Sequence, residues 1–283
     1  MRMPDFIVIG AAKAGTTTLY DILSHHPDLF LPDPKEPEFF ARDDRYAEGI
    51  AAYAALFAPA RPDQRCGEAS TLYSLSPQFP LTAARIHAHA SDVRLIYVMR
   101  EPVARAYSYY AQIVKNYQNS TKDWRVHRSF EECVFPEAHP GRAGRERVFA
   151  RFDAHLPDHP ETFLAGSRYA LQIERYLEHF PREQMLFLTF ERFIADRAGA
   201  LAETMRFIGV DPDRLDATQL GTARNVAAAH FAGARRLAAI DAVKRRLGPA
   251  AALRGVLPAA WRARLREATI RRVSAPAAEP PKM

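Results

Sequence analysis

The sequence predicts an α/β fold, three layers deep, with a central parallel sheet flanked by helices. Short, almost wholly apolar runs that read as buried parallel strands recur along the first 210 residues. Segments with apolar residues at helical spacing lie between them, the alternation expected of strand–helix–strand crossovers. The chain has 283 residues, of which 48% are hydrophobic and 25% charged, so there is enough apolar material for one large core.

The first strand is Asp5-Phe-Ile-Val-Ile-Gly10, closed by glycine. Residues 16–23 follow as a helix with Leu19, Ile22 and Leu23 on one face, and it should stop before Pro27. A second strand is expected at 66–69, a helix at 81–90, a central strand at 93–99 and a helix at 103–115. Ser129 with Glu132 three residues later fits a capping box opening a short helix. An amphipathic helix is expected over 166–180, a buried strand at 185–189, and a helix at 198–208 before the turn at Asp211-Pro212.

The stretch 116–163 differs. It is polar, rich in His and Pro, and balances 7 basic residues against 8 acids, which suggests a surface excursion over one end of the sheet. Residues 224–272 carry 12 basic residues against two acids, Asp241 and Glu267. Since the whole chain is only +6, the remainder is acidic on balance. That asymmetry argues against a nucleic-acid coat and for a local anion or membrane contact. Residues 275–283 are Pro/Ala-rich and expected to be unfolded. No internal repeat is visible, and a single domain over 1–283 is expected.

No apolar run approaches the ~20 residues needed to cross a bilayer, and no charged-then-apolar leader precedes the first strand. Two cysteines, Cys66 and Cys133, make neither a disulfide framework nor a Cys-rich metal site. A cytoplasmic protein with reduced thiols is expected.

Gly10-Ala-Ala-Lys13-Ala14-Gly15-Thr16-Thr17 joins the first strand to the first helix. Such a loop turns backbone N–H groups and a helix N-terminus toward an anion. A nucleoside-triphosphate loop needs G-x-x-x-x-G-K-[ST]. Here the glycines have that spacing, but Thr16 stands where the lysine should be and the lysine lies inside the loop, at Lys13. The central strand ends in Arg100 and not in a metal-holding aspartate. Both features point to an anionic ligand held without metal. Arg100, at the C-terminal end of that strand, and Ser108, two turns into the next helix, suit a second phosphate.

FIVIGAAKAGTTTLYDIL, KEPEFF, GEAS, LIYVMREPVARAYSYY and YLEHFPREQMLFLTFERF occur in this order. The set resembles the PAPS-dependent sulfotransferases, in particular the heparan sulfate sulfotransferase branch and its bacterial relatives. The resemblance covers about residues 5–210 and implies a P-loop-like fold. It also implies metal-independent transfer of a sulfuryl group from 3′-phosphoadenosine 5′-phosphosulfate (PAPS) to a hydroxyl or amine of an acceptor, such as a glycan, glycolipid or small metabolite. By position, Lys13, Ala14, Gly15, Thr16 and Thr17 would hold the 5′-phosphosulfate, and Arg100 and Ser108 the 3′-phosphate. Arg224, in Arg224-Asn225-Val226, resembles the loop that closes over the nucleotide, without its usual Pro-Arg. The stretch 116–163 would face the acceptor.

In Lys35-Glu36-Pro37-Glu38-Phe39-Phe40, a carboxylate near apolar rings is expected to have a raised pKa and to take a proton from an alcohol. The resemblance makes Glu36 the general base and Lys13 the stabiliser of the leaving oxygen. The family's histidine is replaced by Glu38, which becomes a second candidate base. After Glu68 the relatives have Lys-Thr-Pro where this chain has Ala69-Ser70-Thr71. A phosphate-loop kinase and a non-catalytic nucleotide- or membrane-binding protein are the rival readings. In the latter, residues 224–272 would be an amphipathic element on an anionic membrane; the alternative is a packed helix edge near the 3′-phosphate. His87-Ala-His89 with Asp92 reads as a solvated helix face, and Glu191 as a cap for the segment after the strand ending at Thr189.

Overall fold

A computed structural model describes residues 1–118, 129–135 and 162–216. Five strands form one parallel sheet: β1 (Phe6–Gly10), β2 (Leu29–Phe30), β3 (Arg65–Ala69), β4 (Arg94–Met99) and β5 (Met185–Thr189), in the order β2-β3-β1-β4-β5. β1 lies at the centre with Ile7 opposite Glu68 on one side and Leu95 on the other. All five β1 residues are buried, as the unbroken apolar run requires of a strand covered on both faces. The helices that connect the strands are α1 (Thr16–Leu23), α2 (Asp43–Tyr46), α3 (Ile50–Ala55), α4 (Thr82–His89), α5 (Pro102–Gln118), α6 (Phe130–Val134), α7 (Thr162–Ala165) and α8 (Tyr169–Leu177). After β5 come α9 (Phe190–Ala195) and α10 (Arg197–Ile208).

Local chemistry accounts for the boundaries. Glu101 accepts a hydrogen bond from the Ala104 N–H at 2.7 Å and Pro102 fills the first position of α5, where its missing donor costs nothing. Both halves of the Ser129–Glu132 capping box are formed. Gly209, at φ 89°, ends α10 in the left-handed conformation.

Besides α2 and α3, which the sequence reading did not include, two features depart from it. The edge strand β2 has only two residues, too few for a periodic signal. The expected helix over 166–180 is shorter, Tyr169–Leu177, and starts late because Ser167 donates to Pro102 O at 3.0 Å and accepts from Arg105 Nε at 2.6 Å. The structure resumes as α8 only after Arg168, whose ψ is 64°. Most of 116–163 and all of 224–272 and 275–283 lie outside the described residues. No helix among the described residues is long and apolar enough to cross a membrane.

Candidate active site

Because every strand is parallel, the loops that follow β1, β3 and β4 emerge at one edge of the sheet, side by side. The loop after β1 makes its first turn at Gly10, φ 141°, where a Cβ would lie 2.0 Å from Ser74 Oγ. Its last turn is Gly15, φ 92°, where a Cβ would lie 2.9 Å from the Phe190 ring. Both sites need glycine for the backbone angle and for the space. Gly15 is also the N-cap of α1 and supplies no side-chain acceptor, so the first-turn N–H groups are directed at the loop's mouth.

Two arginines brace this loop. Arg100 Nη1 donates to Lys13 O at 3.0 Å, and Arg105 Nη1 donates to Ala12 O at 3.4 Å. Both carbonyls are thereby turned to protein. Arg100 is itself clamped: its N–H donates to Tyr169 Oη at 3.2 Å, the Tyr169 hydroxyl donates to its carbonyl at 2.6 Å, and its guanidinium lies 4.7 Å over the Phe190 ring. Arg105 is fully buried and also donates to Phe163 O at 2.5 Å. Burial pushes its pKa down, although only carbonyl and hydroxyl partners surround its guanidinium in these hydrogen bonds.

Lys13 is a non-glycine residue in the left-handed region, at φ 71°. Its ammonium reaches α5 and donates to Gln112 Oε1 at 3.2 Å. Gln112 is one turn beyond Ser108, so the two share a face of α5. The structure thereby brings Lys13 to the helix face that carries the half-buried Ser108.

The carboxylate loop sits on the end of β3. Glu36 N–H donates to Ala69 O at 3.1 Å, and Glu36 Oε2 accepts from Thr71 N–H at 2.8 Å and Thr71 Oγ1 at 3.0 Å. Its other oxygen is ion-paired with Lys35. Glu38 is paired with Arg42 at 3.2 Å, and its N–H donates to Ser70 Oγ at 3.0 Å. Both glutamates are in the left-handed region, at φ 69° and 57°. Phe39 and Phe40 turn inward and pack on Tyr53 with centroids at 4.8 Å.

The expected apolar setting for Glu36 is therefore corrected: its carboxylate has a polar setting of lysine, hydroxyl and backbone N–H. Behind it lies a second carboxylate, Glu68, which has no exposed surface. Its pKa is pushed up to about 7, chiefly by burial, against the opposing hydrogen bonds from Tyr73, Ser70 and Tyr53, with the charge of Glu36 adding to the rise.

The sulfotransferase domain model matches residues 3–225. This chain belongs to the sulfotransferase domain family. It is 34% identical over 209 residues to heparan sulfate glucosamine 3-O-sulfotransferase 3B1 of Mus musculus, covering 74% of this chain and 47% of the relative. Heparan sulfate glucosamine 3-O-sulfotransferase 6 of Homo sapiens is 30% identical over 209 residues, covering 74% and 53%. The chain spans about half the length of the curated relatives it matches. A sulfotransferase crystal structure from Alicyclobacillus acidocaldarius superposes with a TM-score of 0.59 at 27% identity, over 93% of this chain and 100% of that one.

Within this sulfotransferase domain, sequence reading missed the supporting residues. Ser70 and Thr71 counted there as departures from Lys-Thr-Pro, yet they hold the backbone of Glu38 and the carboxylate of Glu36. Their signal is a glutamate inside a short buried strand followed by two hydroxyls, G-E-A-S-T. Gln112 carried no signal beyond its place one turn after Ser108. Glu191 does not cap α9, because Thr189 Oγ1 accepts from the Arg192 N–H at 3.3 Å; Glu191 instead accepts from the Glu101 N–H at 2.9 Å. His87 packs on His179 and Phe180, whereas His89 meets Tyr46 Oη at 2.9 Å, so the two histidines have separate partners. Among the described residues no group of three or more His, Cys, Asp or Glu is placed to hold a metal ion. Arg224 lies outside the described residues.

Proposed function

We propose that this chain transfers a sulfuryl group from PAPS to a hydroxyl or amine of an acceptor, without a metal. The observation that carries the reading is the junction of two loops of opposite charge. The anion loop of β1 presses Gly10 against Ser74, and Ser74 belongs to the single turn Thr71–Ser74 whose first residue holds Glu36. A loop suited to a phosphosulfate thus adjoins a carboxylate suited to take a proton.

In this reading Lys13, Ala14, Gly15, Thr16 and Thr17 hold the 5′-phosphosulfate, while Arg100 and Ser108 hold the 3′-phosphate, with Arg224 as a further nucleotide contact. Glu36 accepts the proton of the acceptor hydroxyl. The acceptor oxygen forms its bond to sulfur as the bond from sulfur to the phosphate oxygen breaks. The electron pair stays on that phosphate oxygen, where the Lys13 ammonium meets the developing charge. The products are the sulfated acceptor and adenosine 3′,5′-bisphosphate, and the proton on Glu36 returns to water.

The names of the relatives point to glucosamine in a polysaccharide. A glycan, a glycolipid or a small metabolite each fits the acceptor role here, since the sequence of 116–163, with 7 basic and 8 acidic residues, has no strong basic bias. The buried free thiols of Cys66 and Cys133 accord with a cytoplasmic setting, which belongs to the same proposal.

Thermal unfolding tests the reading. PAPS and adenosine 3′,5′-bisphosphate should each stabilise the protein in the absence of magnesium, by about 2.7 kcal/mol at a hundredfold excess over Kd. ATP should do so weakly. Equal stabilisation by Mg-ATP would return a phosphate-loop kinase to first place.

A further inference from the structure

We propose that Glu68 is a positioning residue for the reaction: from inside the core it holds the Glu36–Phe40 loop in the geometry that presents Glu36 to the acceptor. The inference rests on the sulfuryl-transfer reading and extends it to a residue that does not touch substrate.

Glu68 projects from β3 and is completely buried, in a position where an apolar side chain would cost less. Its oxygens are met by hydroxyls. Tyr53 Oη donates to Oε1 at 3.0 Å and Ser70 Oγ to Oε2 at 2.9 Å, and the Tyr73 hydroxyl contributes a further bond. Two of those hydroxyls also reach the carboxylate loop. Ser70 Oγ accepts from the Glu38 N–H at 3.0 Å, and Tyr73 Oη accepts from the Phe40 N–H at 3.4 Å. Tyr53 stacks on Phe39 and meets Phe40 edge-on. Every partner of Glu68 therefore touches the segment 36–40. A fixed donor–acceptor pattern of this kind sets backbone position more sharply than apolar packing does. The left-handed Glu36 and Glu38 need such a restraint to persist.

The groups that feel the charge of Glu68 come from every side: Tyr20 of α1, Glu36 of the carboxylate loop, Tyr53 of α3, Tyr73 of the Thr71–Ser74 turn and Tyr176 of α8. Burial pushes each of these tyrosines upward, so all four stay neutral through the neutral range. Lys35 is ion-paired to Glu36. Glu68, pushed up to about 7 by burial, ionises near neutrality, and turnover should carry its signature.

The test compares wild type, Glu68→Gln and Ser70→Ala in the full chain. Adenosine 3′,5′-bisphosphate release from PAPS is followed between pH 5.5 and 8.5, with p-nitrophenol, glucosamine and water each tried as acceptor and the fastest used. Binding of adenosine 3′,5′-bisphosphate is measured by calorimetry. Both variants should bind the nucleotide within about twofold of wild type and lose about tenfold to a hundredfold in kcat, the scale of a misplaced base. Glu68→Gln should also lose the inflection near pH 7 in the kcat profile. Ser70→Ala, a smaller change, guards against a Glu68→Gln protein that fails to fold. Unchanged kcat in Ser70→Ala, or in a folded Glu68→Gln with an unaltered pH profile, would overturn the positioning role. If wild type releases no product with any of the three acceptors and binds no nucleotide, the sulfuryl-transfer reading itself fails.

Discussion

Replacing Glu68 by glutamine should change how the protein's stability depends on pH, by an amount that follows from the burial of this one carboxyl. Its pKa rises from an ordinary 4.5 to about 7 on folding, mainly because the charged form loses its water. The folded state therefore binds more protons than the unfolded state between these two values. Stability must fall as pH rises through that window, the opposite of the usual salt-bridged carboxylate. Below pH 4.5 both states are protonated and Glu68 contributes no slope; above 7 the penalty is complete. Each tenfold difference in ionisation constant is worth about 1.4 kcal/mol, so the full penalty is about 3 kcal/mol. Most of it develops between pH 5 and 8.

Glutamine keeps the shape of the side chain and has no charge to desolvate, so Glu68→Gln should lack this slope. Urea unfolding of both proteins at half-unit steps from pH 5 to 8 measures it. The stability difference, variant minus wild type, should climb by about 2–3 kcal/mol across the series, equivalent to roughly 5–10 °C in Tm for a chain of this size. Histidines and surface carboxylates titrate in both proteins and cancel in the difference. Parallel stability curves would refute the reasoning, because they would mean that Glu68 ionises in the folded state as easily as in the unfolded one.

The remaining expectations concern the two loops. Arg100→Ala should weaken PAPS binding by roughly 10- to 150-fold, the value of a charged hydrogen bond, and hardly affect adenosine 5′-phosphosulfate, which lacks the 3′-phosphate. Equal losses would assign Arg100 to its contact with Lys13 O alone. Glu36→Gln should leave nucleotide binding intact and cut turnover by about a hundredfold to ten-thousandfold; a mild Glu36→Gln beside a crippled Glu38→Gln would move the base by two residues. Glu38→Gly should be more stable than Glu38→Ala by about 1 kcal/mol in urea unfolding, because both lose the Arg42 pair and only alanine retains the left-handed strain at φ 57°. An alanine variant as stable as the glycine one would show that the backbone there is relaxed.

Much of this molecule is legible as sequence because its strands are buried on both faces. Runs such as Phe6-Ile-Val-Ile and Leu95-Ile-Tyr-Val have no other stable use in a chain this size, and β1, β3, β4 and β5 fall where those runs predict. β2, with two residues, is too short for a local pattern, and the late start of α8 is set by long-range contacts of Ser167 with Pro102 and Arg105, which no local window contains. The anion loop is likewise local, a strand, two glycines and a helix start. The carboxylate loop is not. Its support comes from Glu68, Ser70 and Thr71, some thirty residues downstream, and from Tyr53 and Tyr73. Phe39 and Phe40 turn into the core that Glu68 shares, and it is there that burial pushes a carboxyl upward, at Glu68.

Strain and charge coincide here in a way that packing alone does not require. Among the described residues, the non-glycine positions with positive φ are Lys13, Glu36 and Glu38. Glycine at any of them would remove a cost on the order of 1 kcal/mol, and a surface turn has no packing reason to refuse it. What glycine cannot supply is the ammonium of Lys13 or the carboxylates of Glu36 and Glu38. The restraints beneath these positions are costly in their own right: a fully buried guanidinium, Arg105, tied to the Ala12 carbonyl, and a fully buried carboxyl, Glu68, tied to the backbone of 38 and 40 through hydroxyls. Each loop thus has a strained charge above and a buried charge of the same sign below. An apolar support would stabilise the fold better. The arrangement makes physical sense where the positions of one ammonium and one carboxylate must be fixed to within a fraction of an ångström, the tolerance of a group that meets a leaving oxygen or takes a proton in flight.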